Sequence, residues 1–193
     1  MNIPGFILTN ILLGAGLAMD TFSVSIVNTL NEPGMKKGKM AAMSAVYASF
    51  QAVMPLIGWL CVHTIIEYFR VVQPYIPWVA LILLVYIGGK MLLEGFGVIK
   101  TDDSEGDALQ LTPKLLFIQG IATSIDALSV GFTIAEYDAV AAVAAALIIA
   151  VVTFALSFTG AMIGKKVGTS LSGKASIIGG VILIGIGLKI CFF

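Results

Sequence analysis

Six stretches of the chain are apolar over the ~20 residues that a helix needs to cross the hydrocarbon of a bilayer. They run from Pro4 to Leu30, Met40 to Val62, Pro77 to Ile99, Leu115 to Ala135, Ala139 to Gly164 and Ala175 to Phe193. A soluble fold that buried them would still need charge to cover its surface, about 25% of residues in an ordinary domain. Here 11% are charged and 59% are hydrophobic, with a mean hydropathy of +1.02. The bilayer removes the need for that charged surface. The sequence therefore predicts an all-α, polytopic membrane protein with six transmembrane helices.

The first stretch carries Asp20 and has no basic residue ahead of it, so a retained first helix is expected rather than a cleaved signal. The separators read as loops: 31–39, 63–76, 100–114, 136–138 and 165–174. Lys36, Lys37, Lys39, Lys100, Lys114, Lys165, Lys166 and Lys174 fall in or beside the first, third and fifth, whereas the other side holds only Arg70. The positive-inside rule then makes those three loops cytoplasmic and puts both termini outside. The segment 100–114 contains Asp102, Asp103, Glu105 and Asp107, and reads as a solvated cytoplasmic linker.

The chain also repeats itself. Asp20-Thr-Phe-Ser23-Val and Asp126-Ala-Leu-Ser129-Val share the pattern Asp-x-x-Ser-Val, 106 residues apart. At the same spacing Ile57-Gly58 meets Ile163-Gly164, and Gln51 meets Ser157. Ile87-Gly-Gly-Lys90-Met91 matches Ile186-Gly-Leu-Lys189-Ile190 at the shorter spacing of 99. Residues 1–99 and 115–193 are thus read as two three-helix repeats joined by the acidic loop. An odd number of crossings turns the second repeat upside down. Inverted repeats of this kind place a transport site at their interface, near the midplane.

Asp20 and Asp126 lie near the middle of the first and fourth stretches. A carboxylate at the bilayer centre costs ~3 kcal/mol even on a lenient insertion scale, so such residues face a polar interior and do work there. On a helix, positions i and i+3 are neighbours, which is expected to put Ser23 beside Asp20 and Ser129 beside Asp126. Gln51 and Ser157 could add neutral oxygens from the second and fifth helices. Pro55 removes the helix bond to the Gln51 carbonyl and leaves that oxygen available as well. Carboxylates, hydroxyls, an amide and carbonyls form a hard-oxygen set suited to Mg²⁺, Ca²⁺ or Mn²⁺. After ion release the two aspartates could take up protons. Lys90 and Glu94 are candidates for coupling or ion entry.

The segments Gly14-Ala-Gly-Leu-Ala-Met-Asp20-Thr-Phe-Ser-Val-Ser-Ile26, Met54-Pro-Leu-Ile-Gly-Trp59, Ile87-Gly-Gly-Lys-Met-Leu-Leu-Glu-Gly95 and Ala122-Thr-Ser-Ile-Asp126-Ala-Leu-Ser-Val-Gly131 resemble the bacterial manganese efflux pump family. The resemblance extends to Ser157-Phe-Thr-Gly160 and the final glycine-rich stretch. It implies export of Mn²⁺ across the cytoplasmic membrane, a fold related to the lysine exporter superfamily, and a site at Asp20 and Asp126. Some members of the family carry glutamate where this chain has Gln51, which bears on affinity, selectivity and proton coupling. Efflux as the direction of transport is implied by the resemblance alone.

Other classes fit the residues less well. Another divalent cation or a cationic amino acid remains an alternative substrate. A channel would not need inverted repeats. An intramembrane aspartyl protease would carry Gly-x-Gly-Asp, where this chain has Leu17-Ala-Met-Asp20 and Thr123-Ser-Ile-Asp126. His63 is the single histidine and no nucleophile–base set accompanies it, so no enzyme and no cofactor are expected. Cys61 and Cys191 form no spaced framework. No basic stripe offers itself to nucleic acid.

Overall fold

The computed structural model describes residues 3–64, 76–96 and 111–168, together with 177–178, 181–182, 184–185 and 188. Every regular element among them is a helix: α1 (Ile3–Asn31), α2 (Lys37–Thr64), α3 (Ile76–Gly95), α4 (Pro113–Thr133) and α5 (Ala139–Gly168). Each lies on one of the first five apolar stretches, with ends within a few residues of those read. Among the described residues, three segments are long and apolar enough to cross a membrane: Ile3–Asn31, Lys37–Val62 and Ala139–Val167. The expected sixth helix falls largely outside the described residues, although 177–178, 181–182, 184–185 and 188 are helical. Most of the acidic segment also lies outside them.

The helix ends are set by local chemistry. Pro33 cannot continue α1, and the chain turns at once, with Met35 N–H donating to the Glu32 carbonyl at 3.0 Å. Thr112 caps α4: its hydroxyl accepts from Leu115 N–H at 3.2 Å, and Pro113 takes the first helical position, where a missing N–H costs nothing. The helix therefore starts inside the segment read as loop up to Lys114. Asp138 caps α5 by accepting from Ala141 N–H at 2.7 Å. Lys37 and Lys39 sit in the first turn of α2, and Lys165 and Lys166 in the last turn of α5. The basic cluster thus decorates helix termini rather than free loops. Lys165 Nζ reaches across to the Met35 carbonyl at 2.8 Å.

α1 packs most extensively on α5, while α2 packs on α4 and on α5. The glycines show how closely. A Cβ added at Gly58 of α2 would meet the Leu128 carbonyl of α4, and one at Gly164 of α5 would meet the Ile26 carbonyl of α1. Only glycine permits that approach of two backbones. Contacts advance together along both pairs: Phe50 with Gly120 and Gly58 with Leu128, Gly14 with Ile149 and Gly160 with Phe22. So α2 runs parallel to α4, and α1 parallel to α5. By contrast α1 and α4 are antiparallel: the Asn28 and Gln119 side chains meet, and Gln51 bridges Leu17 and Thr123.

The buried apolar side chains form two clusters at different heights. One gathers Val24, Val27, Met40, Met43, Tyr47 and Ala122 toward the basic end. The other gathers Leu17, Ala127, Val130, Ile134 and Ile149 toward the α4–α5 turn.

Candidate cation site

Between the two clusters every one of the four central helices turns polar. Along α1, Leu17 belongs to one cluster and Val24 to the other, and Asp20 and Thr21 lie buried between them. Along α4, the interval from Ala122 to Ala127 holds Thr123, Ser124 and Asp126. Thr153 and Ser157 occupy the interval from Ile149 to Ala161 on α5. Gln51 lies on α2 between Tyr47 and Met54, which packs on the far cluster. Four helices thus contribute to one oxygen-rich band inside an apolar body. Asp20 is only 4% exposed.

Gln51 ties the band together. Its Nε2 donates to the Thr123 carbonyl at 3.1 Å and to the Leu17 carbonyl at 3.4 Å. Those carbonyls stand 106 residues apart, one turn ahead of Asp126 and Asp20 respectively. A single amide therefore sits astride equivalent points of α1 and α4. Its own oxygen, Oε1, is buried and has no hydrogen-bond partner among the described residues, and the same holds for Thr153 Oγ1. Orphaned buried oxygens each cost ~1–3 kcal/mol.

The other predicted residues are placed differently. Asp126 is half-buried, and its Oδ1 accepts from Ala127 N–H at 2.8 Å. The Ser157 hydroxyl meets Ser25 Oγ at 2.6 Å. Because Ser25 donates its proton to the Thr21 carbonyl at 2.6 Å, Ser157 is the donor in that pair. Ser23 is not turned into the band with Asp20: its hydroxyl donates to the Met19 carbonyl at 2.9 Å, and Ser129 is exposed. Three residues advance a helix by about 300°, so each serine stands about 60° from its aspartate. Both stand on the side away from the stripe's centre. Lys90 and Glu94 lie on α3, but their side chains are outside the described residues. Among the described residues no group of three or more His, Cys, Asp or Glu gathers. Two carboxylates and neutral oxygens are the available donors.

Sequence reasoning missed Thr21, Thr123, Ser124 and Thr153. It also missed a buried network beside the first cluster. Asn28 Nδ2 donates to Tyr47 Oη at 2.8 Å and to Gln119 Oε1 at 2.9 Å, and Gln119 Nε2 returns a bond to Asn28 Oδ1 at 3.1 Å. Tyr47 Oη donates to Gln119 Oε1 at 2.8 Å. A readable signal existed: amides in apolar stretches need partners.

Comparison with known proteins gives this arrangement a context. A family model described as "Putative manganese efflux pump" matches residues 34–191. Proteins named "Putative manganese efflux pump MntP" are 39% identical over 183 residues in Methanosarcina mazei and 40% over 182 in Ruminiclostridium cellulolyticum. These alignments cover 95% and 93% of this chain and 94% and 92% of the relatives. A relative of the same name in Clostridium perfringens strain 13 is 37% identical over 205 residues, covering 95% of this chain and 93% of its own. The chain belongs to the manganese efflux pump family. The family is one of transporters rather than enzymes. Gln51, Asp126, Thr153 and Ser157 all fall within the family match. No solved structure matches the chain.

Proposed function

We propose that the chain exports Mn²⁺ across the cytoplasmic membrane by secondary transport coupled to protons, binding the ion in the polar band between two inverted three-helix repeats. The observation that carries this reading is the band itself. Four helices of a strongly apolar protein turn polar at one level, around a buried aspartate. Asp20 and Asp126 together balance one divalent charge. When the ion leaves, protons on the two carboxylates restore neutrality in a low-dielectric interior, which gives coupling a physical reason.

The helix pairing supports the inverted repeat. The first helix of each half packs on the second helix of the other half, α1 on α5 and α4 on α2. α1 runs antiparallel to α4, and Gln51 bridges backbone carbonyls 106 residues apart in the two halves. Loops one, three and five, with their lysines, face the cytoplasm in this reading, and the termini face outside. The donor set suits hard divalent cations as a class. Manganese and the outward direction come from the names that the relatives carry. A cationic amino acid would need a group to hold its carboxylate, and the described part of the band offers no Lys or Arg.

Mn²⁺ binding to purified protein tests the reading. Mn²⁺ should raise the thermal stability of the wild type in detergent, Mg²⁺ should do so only at higher concentration, and Asp20→Asn should abolish the effect. Equal stabilisation of wild type and Asp20→Asn by Mn²⁺ would refute the site.

A further inference from the structure

We propose that Thr153 Oγ1, with Gln51 Oε1, supplies the neutral oxygens of the ion site, and that Ser157 serves instead as a helix clasp. The inference rests on the midplane reading above and specifies which donors act in it. Other hydroxyls in the band spend their protons on their own helix: Thr21 on the Ala18 carbonyl, Thr123 on that of Gln119, Ser124 on that of Gly120. This back-bonding is the ordinary habit of Ser and Thr in apolar helices. Thr153 departs from it. It is fully buried, yet its hydroxyl bonds neither its own helix nor any other described group.

Its height on α5 can be read from its neighbours. Ile149, one turn earlier, lies against Gly14, and Gly160, two turns later, lies against Phe22. Thr153 is on the same stripe and so faces α1 at the level of Leu17. The Leu17 carbonyl is the group that receives the Gln51 amide. Gln51 of α2 and Thr153 of α5, each with an unpartnered oxygen, are therefore placed by register beside the same turn of α1, the turn that leads into Asp20. Among the described residues two other buried oxygens lack partners, Asn10 Oδ1 and Ser44 Oγ, but they lie outside the interval between the clusters. The repeat explains why Thr153 is left open. Its counterpart 106 residues earlier is Tyr47, whose hydroxyl is met by Asn28 and Gln119. The counterparts of those amides are Ile134 and Leu13, which offer no hydrogen bond.

Mn²⁺ flux into proteoliposomes, measured against Mn²⁺ concentration, tests the assignment in the full-length chain. Thr153→Val keeps the shape and deletes the oxygen, so KM for Mn²⁺ should rise about tenfold with the maximal rate nearly kept. Thr153→Ser should restore KM, and Ser157→Ala should leave it within about twofold. A purely structural threonine would give none of this pattern, and Thr153→Val should fold at least as well, since it removes an orphaned group. An unchanged KM in Thr153→Val, beside an Asp20→Asn variant that has lost flux, would overturn the role of Thr153 and leave the carboxylate site standing. Normal flux in Asp20→Asn would overturn both.

Discussion

The two ends of the helix body are closed by the same positions and by different chemistry. Toward the basic end Asn28, Tyr47 and Gln119 bind one another in a closed set of hydrogen bonds. Displaced by 106 residues, the two amides become Ile134 and Leu13 toward the α4–α5 turn, and Tyr47 becomes Thr153 at the edge of the polar band. Ile134 is a member of the apolar cluster there, and Leu13 packs against it. That end is held instead from outside the core, by the Trp59 indole donating to the Tyr137 carbonyl at 3.0 Å. On the repeat reading proposed above, the difference gives the body a direction. Amides can exchange their mutual bonds for water when a path opens. An aliphatic closure admits water only when it parts. On the proposed transport reading, the polar closure is the one that hydrates first, on the side given to the cytoplasm.

Making the ends alike breaks the comparison most severely. Gln119→Leu leaves Asn28 and Tyr47 buried without their partner, and should cost ~1–3 kcal/mol for each orphaned group, read as a fall in melting temperature in detergent. The triple variant Asn28→Ile, Tyr47→Phe and Gln119→Leu removes every member of the set. It should regain much of that stability, because replacing all the partners by apolar groups is nearly neutral. Its Mn²⁺ flux should stay severalfold below wild type. Recovery of flux along with stability would show that the polar closure is packing alone.

A second, smaller effect checks that the interior is alike where the ends are not. Gly58→Ala and Gly164→Ala each push a Cβ into a backbone carbonyl of the facing helix. Each should destabilise by ~1–3 kcal/mol, the usual range for overpacking, and the two should agree within about a factor of two. A large loss in one and none in the other would break the equivalence of the two interfaces. Smaller again is the cap of α5 at the apolar end, where Asp138→Ala should cost ~1 kcal/mol. The Lys39–Glu32 pair at the basic end spans 2.7 Å but stands partly in solvent. Lys39→Met should change stability by less than ~1 kcal/mol. A larger loss would mean that the loop between α1 and α2 braces the polar closure.

Much of this architecture was legible in the residues. Helix positions followed from apolar length, and the first five agree with the structure to within a few residues because the bilayer admits few alternatives. Capping moved one start: Thr112 and Pro113 begin α4 ahead of the stretch read from Leu115, whereas α5 begins at Ala139 as read. Gln51 was legible from its place in the repeat as an interior polar residue of α2, and it is buried against the Leu17 and Thr123 carbonyls. Ser23 and Ser129 were harder. Spacing says which residues are neighbours on a helix, whereas burial depends on where the stripe is centred. Here the stripe follows Leu17, Val24 and Asn28, with Asp20 toward its edge. The pairing of Ser157 with Ser25, and the open hydroxyl of Thr153, depend on the register between α1 and α5. That register is set by Gly14, Gly160 and Gly164 meeting particular backbone atoms, which no single-helix pattern contains.

The central claim is that the carboxylates of the polar band carry the ion, and Mn²⁺ flux in proteoliposomes tests it most directly. Wild type should be compared with Asp20→Asn and Asp126→Asn under an imposed pH gradient, with Mg²⁺ and Ca²⁺ as competitors. Mn²⁺ flux should respond to the gradient, resist the competitors, and be lost in both neutral variants while they remain folded. Wild-type flux in either folded variant would contradict that claim.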